Sequence, residues 1–107
     1  MIAENASKAI EQAVCYELQN IVKVHGPTYH SPHEGFAVLM KEVQEACEDS
    51  KFMNNRLECA WHGVRNNDNK TLLDNLAEIK EFSLALAEEA VQCAAVCKKF
   101  IGSVKEC

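Results

Sequence analysis

Apolar residues recur along this chain at spacings of three and four, and the pattern predicts three helices. Ile10, Val14, Leu18 and Ile21 mark the first, over residues 2–25. Gly26-Pro27 ends it, because glycine suits the position just past a helix and proline cannot continue the ladder. Ser31-Pro32-His33-Glu34 opens a second: serine at the N-cap, proline at the first helical position, and glutamate three residues after the cap. From there Phe36, Leu39, Val43, Ala46, Met53, Leu57, Ala60 and Val64 keep one face apolar, and Ser50 alone breaks it. Met40, Cys47 and Trp61 widen the stripe. One helix is expected from Pro32 to Arg65, about 50 Å long at 1.5 Å per residue. A break over residues 50–55 is the alternative.

Asn66-Asn67-Asp68-Asn69 has the composition of a turn. Thr71 or Asn69 is expected to cap a third helix that runs to about residue 104. Its stripe is Ile79, Phe82, Leu86, Glu89, Cys93, Val96 and Phe100, with Cys97 and Val104 alongside. A turn this short makes the second and third helices antiparallel neighbours with coiled-coil-like spacing. The expected fold class is therefore all-α: a long helical hairpin plus an N-terminal helix, in one domain of 107 residues. A hairpin with one short companion has more apolar face than it can cover. A second copy, in a homodimer or homotetramer, is the expected cover, completing a helical bundle.

Composition narrows the classes. With 48% hydrophobic and 25% charged residues, the chain is ordinary for a folded protein. A net charge of −5, spread over the whole length, opposes binding to a nucleic-acid polymer, which needs a basic stripe. No segment approaches the 18–20 uninterrupted apolar residues of a membrane span, so no membrane partner is expected. Residues 1–11 hold no basic region followed by an apolar block, so no secretory signal is expected and the location expected is cytoplasmic. Cys15, Cys47, Cys59, Cys93, Cys97 and Cys107 form no CxxC pair, and they read as thiols in a reducing compartment. Cys93 and Cys97 lie one turn apart, but no third and fourth ligand stands beside them for zinc.

Charge inside the apolar stripe is the anomaly. Glu89 stands between Leu86 and Cys93, within about 50° of the centre of the apolar face at 100° per residue. A carboxylate there loses hydration and needs a basic group or a metal ion opposite. On the second helix, Glu42 and Glu45 share a face at a spacing of three, and Asp49 continues it. With the turn centred on Asn67 or Asp68, residue 45 faces about residue 90. That register brings Glu42, Glu45, Glu89 and Gln92 to one level, a set of oxygen donors suited to Mg²⁺. The alternatives are a solvated acidic face for Glu42 and Glu45, and for Glu89 a basic partner from another subunit. Lys41, Lys98 and Lys99 are the nearby positive groups, which exposed on a helix would simply be solubilising residues.

His33-Glu34-Gly35-Phe36-Ala37-Val38-Leu39, the Glu42-x-x-Glu45 pair and Ala87-Glu88-Glu89-Ala90-Val91-Gln92-Cys93-Ala94-Ala95 together resemble the phage-encoded branch of the MazG-like, all-α nucleoside triphosphate pyrophosphohydrolases. The resemblance spans about residues 30–101. Its pattern is ExxE on one helix and ExxD on a later one, holding Mg²⁺ while a nucleoside triphosphate is split into monophosphate and pyrophosphate. ExxE is met by Glu42 and Glu45, and Glu89 meets the first position of ExxD; Gln92 stands where aspartate is the rule. The resemblance thus implies Mg²⁺ on Glu42, Glu45 and Glu89, with Gln92 as a weaker donor. It implies Glu45 or Asp49 as the base that takes a proton from water, and Lys41 and Lys98 against the phosphates. The alternative it leaves is an inactive relative that binds a nucleotide or a protein; under either reading the expected location is the cytosol of a bacterium or a phage-infected host.

Overall fold

The structure, a computed structural model, describes residues 1–105. Of the six cysteines, Cys107 lies outside them; Cys15, Cys47, Cys59 and Cys97 are free thiols. Helix is the only regular structure among the described residues: α1 (Glu4–His25), α2 (Pro32–Arg65) and α3 (Asn69–Lys105). The fold class is all-α, as the periodicity predicts. No helix is long and apolar enough to cross a membrane.

Local chemistry sets each boundary. At the end of α1, Gly26 takes φ 87°, and its N–H donates to the Val22 carbonyl at 2.8 Å. The Ser31 hydroxyl caps α2, accepting from the Glu34 N–H at 3.2 Å, while the Glu34 carboxylate accepts from the His30 N–H at 3.4 Å. The second helix runs through residues 50–55 without interruption. Its end is a Schellman closure: Asn67 sits at φ 52°, its N–H donates to Val64, and the Asp68 N–H reaches back to Gly63 at 2.9 Å. The cap of α3 is Asp68, in place of the expected Thr71 or Asn69. Its carboxylate accepts from the Thr71 N–H at 3.1 Å and the Thr71 hydroxyl at 2.6 Å. Aspartate wins because it stands one residue before the helix, where a side-chain oxygen reaches the third N–H of the first turn.

The chain divides into two compact units. The second, Gln44–Glu88, is an antiparallel hairpin of the later part of α2 and the first part of α3. Phe52 stacks on Phe82 with centroids 5.0 Å apart, and Arg56 pairs with Glu78 at 3.2 Å. At the turn the helices come so close that a Cβ on Gly63 would meet the Leu72 backbone nitrogen at 2.8 Å. The first unit holds Met1–Val43 and the chain from Glu89 onward. Here Val14 of α1 and Ala95 and Val96 of α3 are buried, and Gly35 of α2 lies against the Phe100 ring, which a Cβ would approach to 2.8 Å.

Both units leave large apolar side chains in water. Phe36, Met40 and Val43 are exposed in the first; Leu57, Trp61, Val64 and Leu76 are exposed in the second.

Candidate metal centre and the cavity beside it

An α-helix sets residues three and four apart side by side, so Glu42 and Glu45 point from one flank of α2. Glu89 and Gln92 do the same from α3, for the same reason. One carboxylate oxygen each from Glu42, Glu45 and Glu89 lie within 4.8 Å of one another, and all three residues are half-buried. The expected level matching therefore holds for these three. Asp49, one turn beyond Glu45, is not a member of the group.

Gln92 belongs to the same arrangement in a different capacity. With its amide turned so that the nitrogen faces the acids, it donates to Glu42 Oε2 at 3.1 Å and Glu89 Oε2 at 3.2 Å. A neutral amide thus bridges two carboxylates that would otherwise repel. To serve as the metal ligand expected from the sequence, it would have to turn over and present its oxygen.

The donor set fits a hard divalent cation. Mg²⁺ takes oxygen ligands at about 2.0–2.1 Å, so opposite ligands of its octahedron stand about 4 Å apart. Three carboxylate oxygens within 4.8 Å of one another are of the right type and close to that spacing. Three charges of one sign, with an amide as the neutral bridge, also supply the electrostatic reason to take up a cation.

A cavity of about 560 Å³ opens beside Glu42 and Gln92 within the first unit. Its walls include Ile21 and Val24 of α1, Val38 of α2 and Val96 of α3, with Glu17, Asn20, Tyr29, Glu34 and Lys99 as polar members. Tyr29 comes from the loop joining α1 to α2 and is fixed by its backbone. Its N–H donates to Ser103 Oγ at 2.9 Å, and Ser103 in turn donates to the Lys99 carbonyl at 2.9 Å. The ring stands edge-on to Phe100 and carries the Lys99 ammonium 4.1 Å from its centroid. Burial holds the Tyr29 hydroxyl above its ordinary pKa, helped by the negative charges of Glu34 and Glu42. At neutral pH it is a phenol, and its buried oxygen has no hydrogen-bond partner among the described residues.

Of the three lysines singled out in the sequence, Lys41 and Lys98 are exposed, whereas Lys99 is buried against the cavity. The step from Lys98 to Lys99 turns the side chain by about 100°. Gln92, Val96 and Lys99 follow at four and three residues, which puts them on one face, a signal present in the pattern. Tyr29 carried no comparable signal, because its loop has no period. Compared with known proteins, the chain matches no family model, no curated protein and no solved structure.

Proposed function

We propose that this chain is a Mg²⁺-dependent, MazG-like nucleoside triphosphate pyrophosphohydrolase. The observation that carries this reading is the meeting of Glu42, Glu45 and Glu89 within 4.8 Å of one another, next to a cavity large enough for a nucleotide. Glu42, Glu45 and Glu89 hold the ion, which supplies charge neutralisation for phosphate oxygens when bound. In the reaction, water attacks the α-phosphorus and the bond from that phosphorus to the bridging oxygen breaks. Pyrophosphate leaves and the nucleoside monophosphate remains. A Glu45 carboxylate oxygen takes the proton of the attacking water, a role that falls to it because Asp49 lies outside the group. Ile21, Val24 and Val38 give the cavity an apolar wall beside the acidic group.

Calorimetric titration with Mg²⁺, followed by a pyrophosphate-release screen over the nucleoside triphosphates, tests the reading. Mg²⁺ uptake and release of pyrophosphate from at least one triphosphate are expected. Uptake of neither Mg²⁺ nor nucleotide overturns it.

A second reading has its own support. The Gln92 amide already satisfies Glu42 and Glu89 without a cation, which suits an inactive relative that binds nucleotide or protein. Mg²⁺-independent nucleotide binding without turnover would favour it.

The working form, we infer, is a homodimer or homotetramer. Trp61 is 58% exposed and Leu57 59%, on one face of α2, and soluble monomers rarely leave such side chains adjacent in water. Sedimentation equilibrium at micromolar concentration should give at least twice the mass of one chain; a clean monomer overturns the inference.

A further inference from the structure

We propose that Lys99 is the anion anchor of the cavity, its ammonium binding the phosphate chain of a nucleoside polyphosphate that enters together with its divalent cation. The identity of the ligand rests on the function proposed above, while the anion-binding role rests on the surroundings of Lys99 itself.

Only 4% of Lys99 is exposed, and it lines the cavity. Buried lysines are ordinarily paired with a carboxylate, since an ammonium without a counter-charge loses its hydration for nothing. Among the described residues no carboxylate lies within ion-pairing distance of this one, and its neighbour is the face of Tyr29. The aromatic face attracts a cation, yet it covers one side only. The other side is left for a ligand in the cavity.

Placement supports the same conclusion. Ser103 ties the Tyr29 backbone to the carbonyl of Lys99, so the ring and the ammonium it carries are located by the same helix turn. Gln92 and Lys99 share one face of α3, separated by about 10 Å of helix rise. Lysine side chains on a helix lean toward its N-terminus, which brings this ammonium back toward Gln92. A single elongated anion can therefore lie along the cavity with one part near Glu42 and Gln92 and another at Lys99.

The cavity's charge sets a condition on that anion. Glu17, Glu34 and Glu42 outnumber Lys99 on its walls, so a bare polyphosphate meets net repulsion. Complexation with Mg²⁺ lowers the anion's charge and with it that repulsion, and Lys99 supplies a fixed positive charge for oxygens the ion leaves uncovered.

Isothermal titration of inorganic tripolyphosphate in excess Mg²⁺ is the test, because it needs no hydrolysis. Saturable binding is expected for the unmodified protein. Lys99→Met, nearly equal in volume, should weaken it about tenfold or more while leaving the melting temperature equal or higher. Lys99→Arg should retain affinity within about threefold, since it keeps the charge and the stacking. Lys8→Met, which removes a positive charge from the exposed side of α1, should change nothing. Equal binding by the unmodified protein and Lys99→Met overturns the proposal even if triphosphates are hydrolysed. So does a lack of tripolyphosphate binding by the unmodified protein. Conversely, Lys99-dependent binding without pyrophosphate release upholds the anion anchor and overturns the pyrophosphohydrolase reading alone.

Discussion

The two units of this protein spend their polar residues in opposite ways. In the hairpin unit, the ion pairs stay at the surface. Arg56 and Glu78 pair while partly exposed, and Lys70 pairs with Asp74 along α3 in full contact with water. Contacts between its helices are made by Phe52, Phe82, Met53 and Ser83. In the other unit, polar groups are drawn inward: Lys99 is buried, the Tyr29 hydroxyl is buried without a partner among the described residues, and the Gln92 amide, turned to face the acids, bridges Glu42 and Glu89. Burying such groups weakens a small fold unless a ligand repays them. The hairpin unit keeps its ion pairs at the surface, whereas the three-helix unit buries Lys99 and the Tyr29 hydroxyl. The contrast predicts which substitutions should alter function and which should alter folding.

The largest effects should come from the carboxylates. Glu89→Gln removes one of three charged donors and is expected to abolish Mg²⁺ uptake, measured by calorimetry, and any pyrophosphate release with it. Its melting temperature without Mg²⁺ should stay within a few degrees, because a poorly hydrated charge has gone. If Glu89 instead pairs with a basic group of another subunit, the pattern inverts: metal behaviour unchanged and the fold weakened. Gln92→Asp sharpens the comparison. It replaces the bridging donor by a fourth carboxylate, so the protein should melt lower without Mg²⁺ and gain more on adding it. Turnover should rise as well. A melting temperature indifferent to Mg²⁺ in this variant would mean that the group does not hold the ion.

Glycine substitutions test the hairpin's side of the contrast. At Gly63 a new Cβ meets backbone, the Leu72 nitrogen at 2.8 Å and the Asp68 carbonyl at 3.1 Å, which cannot move without reshaping the turn. Gly63→Ala should cost about 3 kcal/mol, the upper range for overpacking, despite alanine's better helix propensity. At Gly35 the obstacle is the Phe100 ring, a side chain that can tilt. Gly35→Ala should cost about 1 kcal/mol, but the displaced ring abuts Tyr29 and should also disturb the cavity. Urea unfolding of both variants checks the order; a larger loss at Gly35 would reverse it.

The helices were legible because apolar residues recur at helical spacing, although Phe36, Val43, Leu57 and Val64 of that spacing are exposed. The stripe from Phe36 to Val64 predicted an unbroken α2, and α2 runs from Pro32 to Arg65. The meeting of Glu42, Glu45 and Glu89 was legible too, since a short turn fixes which residues of a hairpin stand level. What escaped was whatever depends on one side chain choosing among local partners. Asp68 outcompeted Thr71 and Asn69 for the cap, a choice decided by one residue of register. Gln92 was expected to offer its oxygen to an ion; that its amide can also turn its nitrogen to Glu42 and Glu89 depends on spacings no pattern reveals. Tyr29 lay in a loop without period, so its stacking beneath Lys99 left no trace in the sequence.

The smallest expected effect belongs to Asp68, the exposed cap of α3. Hydrogen bonds from the Thr71 hydroxyl and N–H hold its carboxyl below the ordinary aspartate pKa of 3.8. A lowered folded-state pKa means that the unfolded chain takes up the proton first as pH falls. The stabilisation is therefore complete above about pH 5, shrinks as pH falls through 3.8, and is gone once the folded carboxyl is also protonated. Asp68→Asn keeps a side-chain oxygen at the cap but removes this titration. The melting temperature of the unmodified protein should exceed that of the variant by a degree or two near neutrality, and the gap should close in acid. A gap that persists unchanged to about pH 2 would mean that the cap acts through shape alone. Because Asp68 is fully exposed, salt should narrow the gap as well, by weakening the attraction of the carboxylate for the Lys70 ammonium and the start of α3.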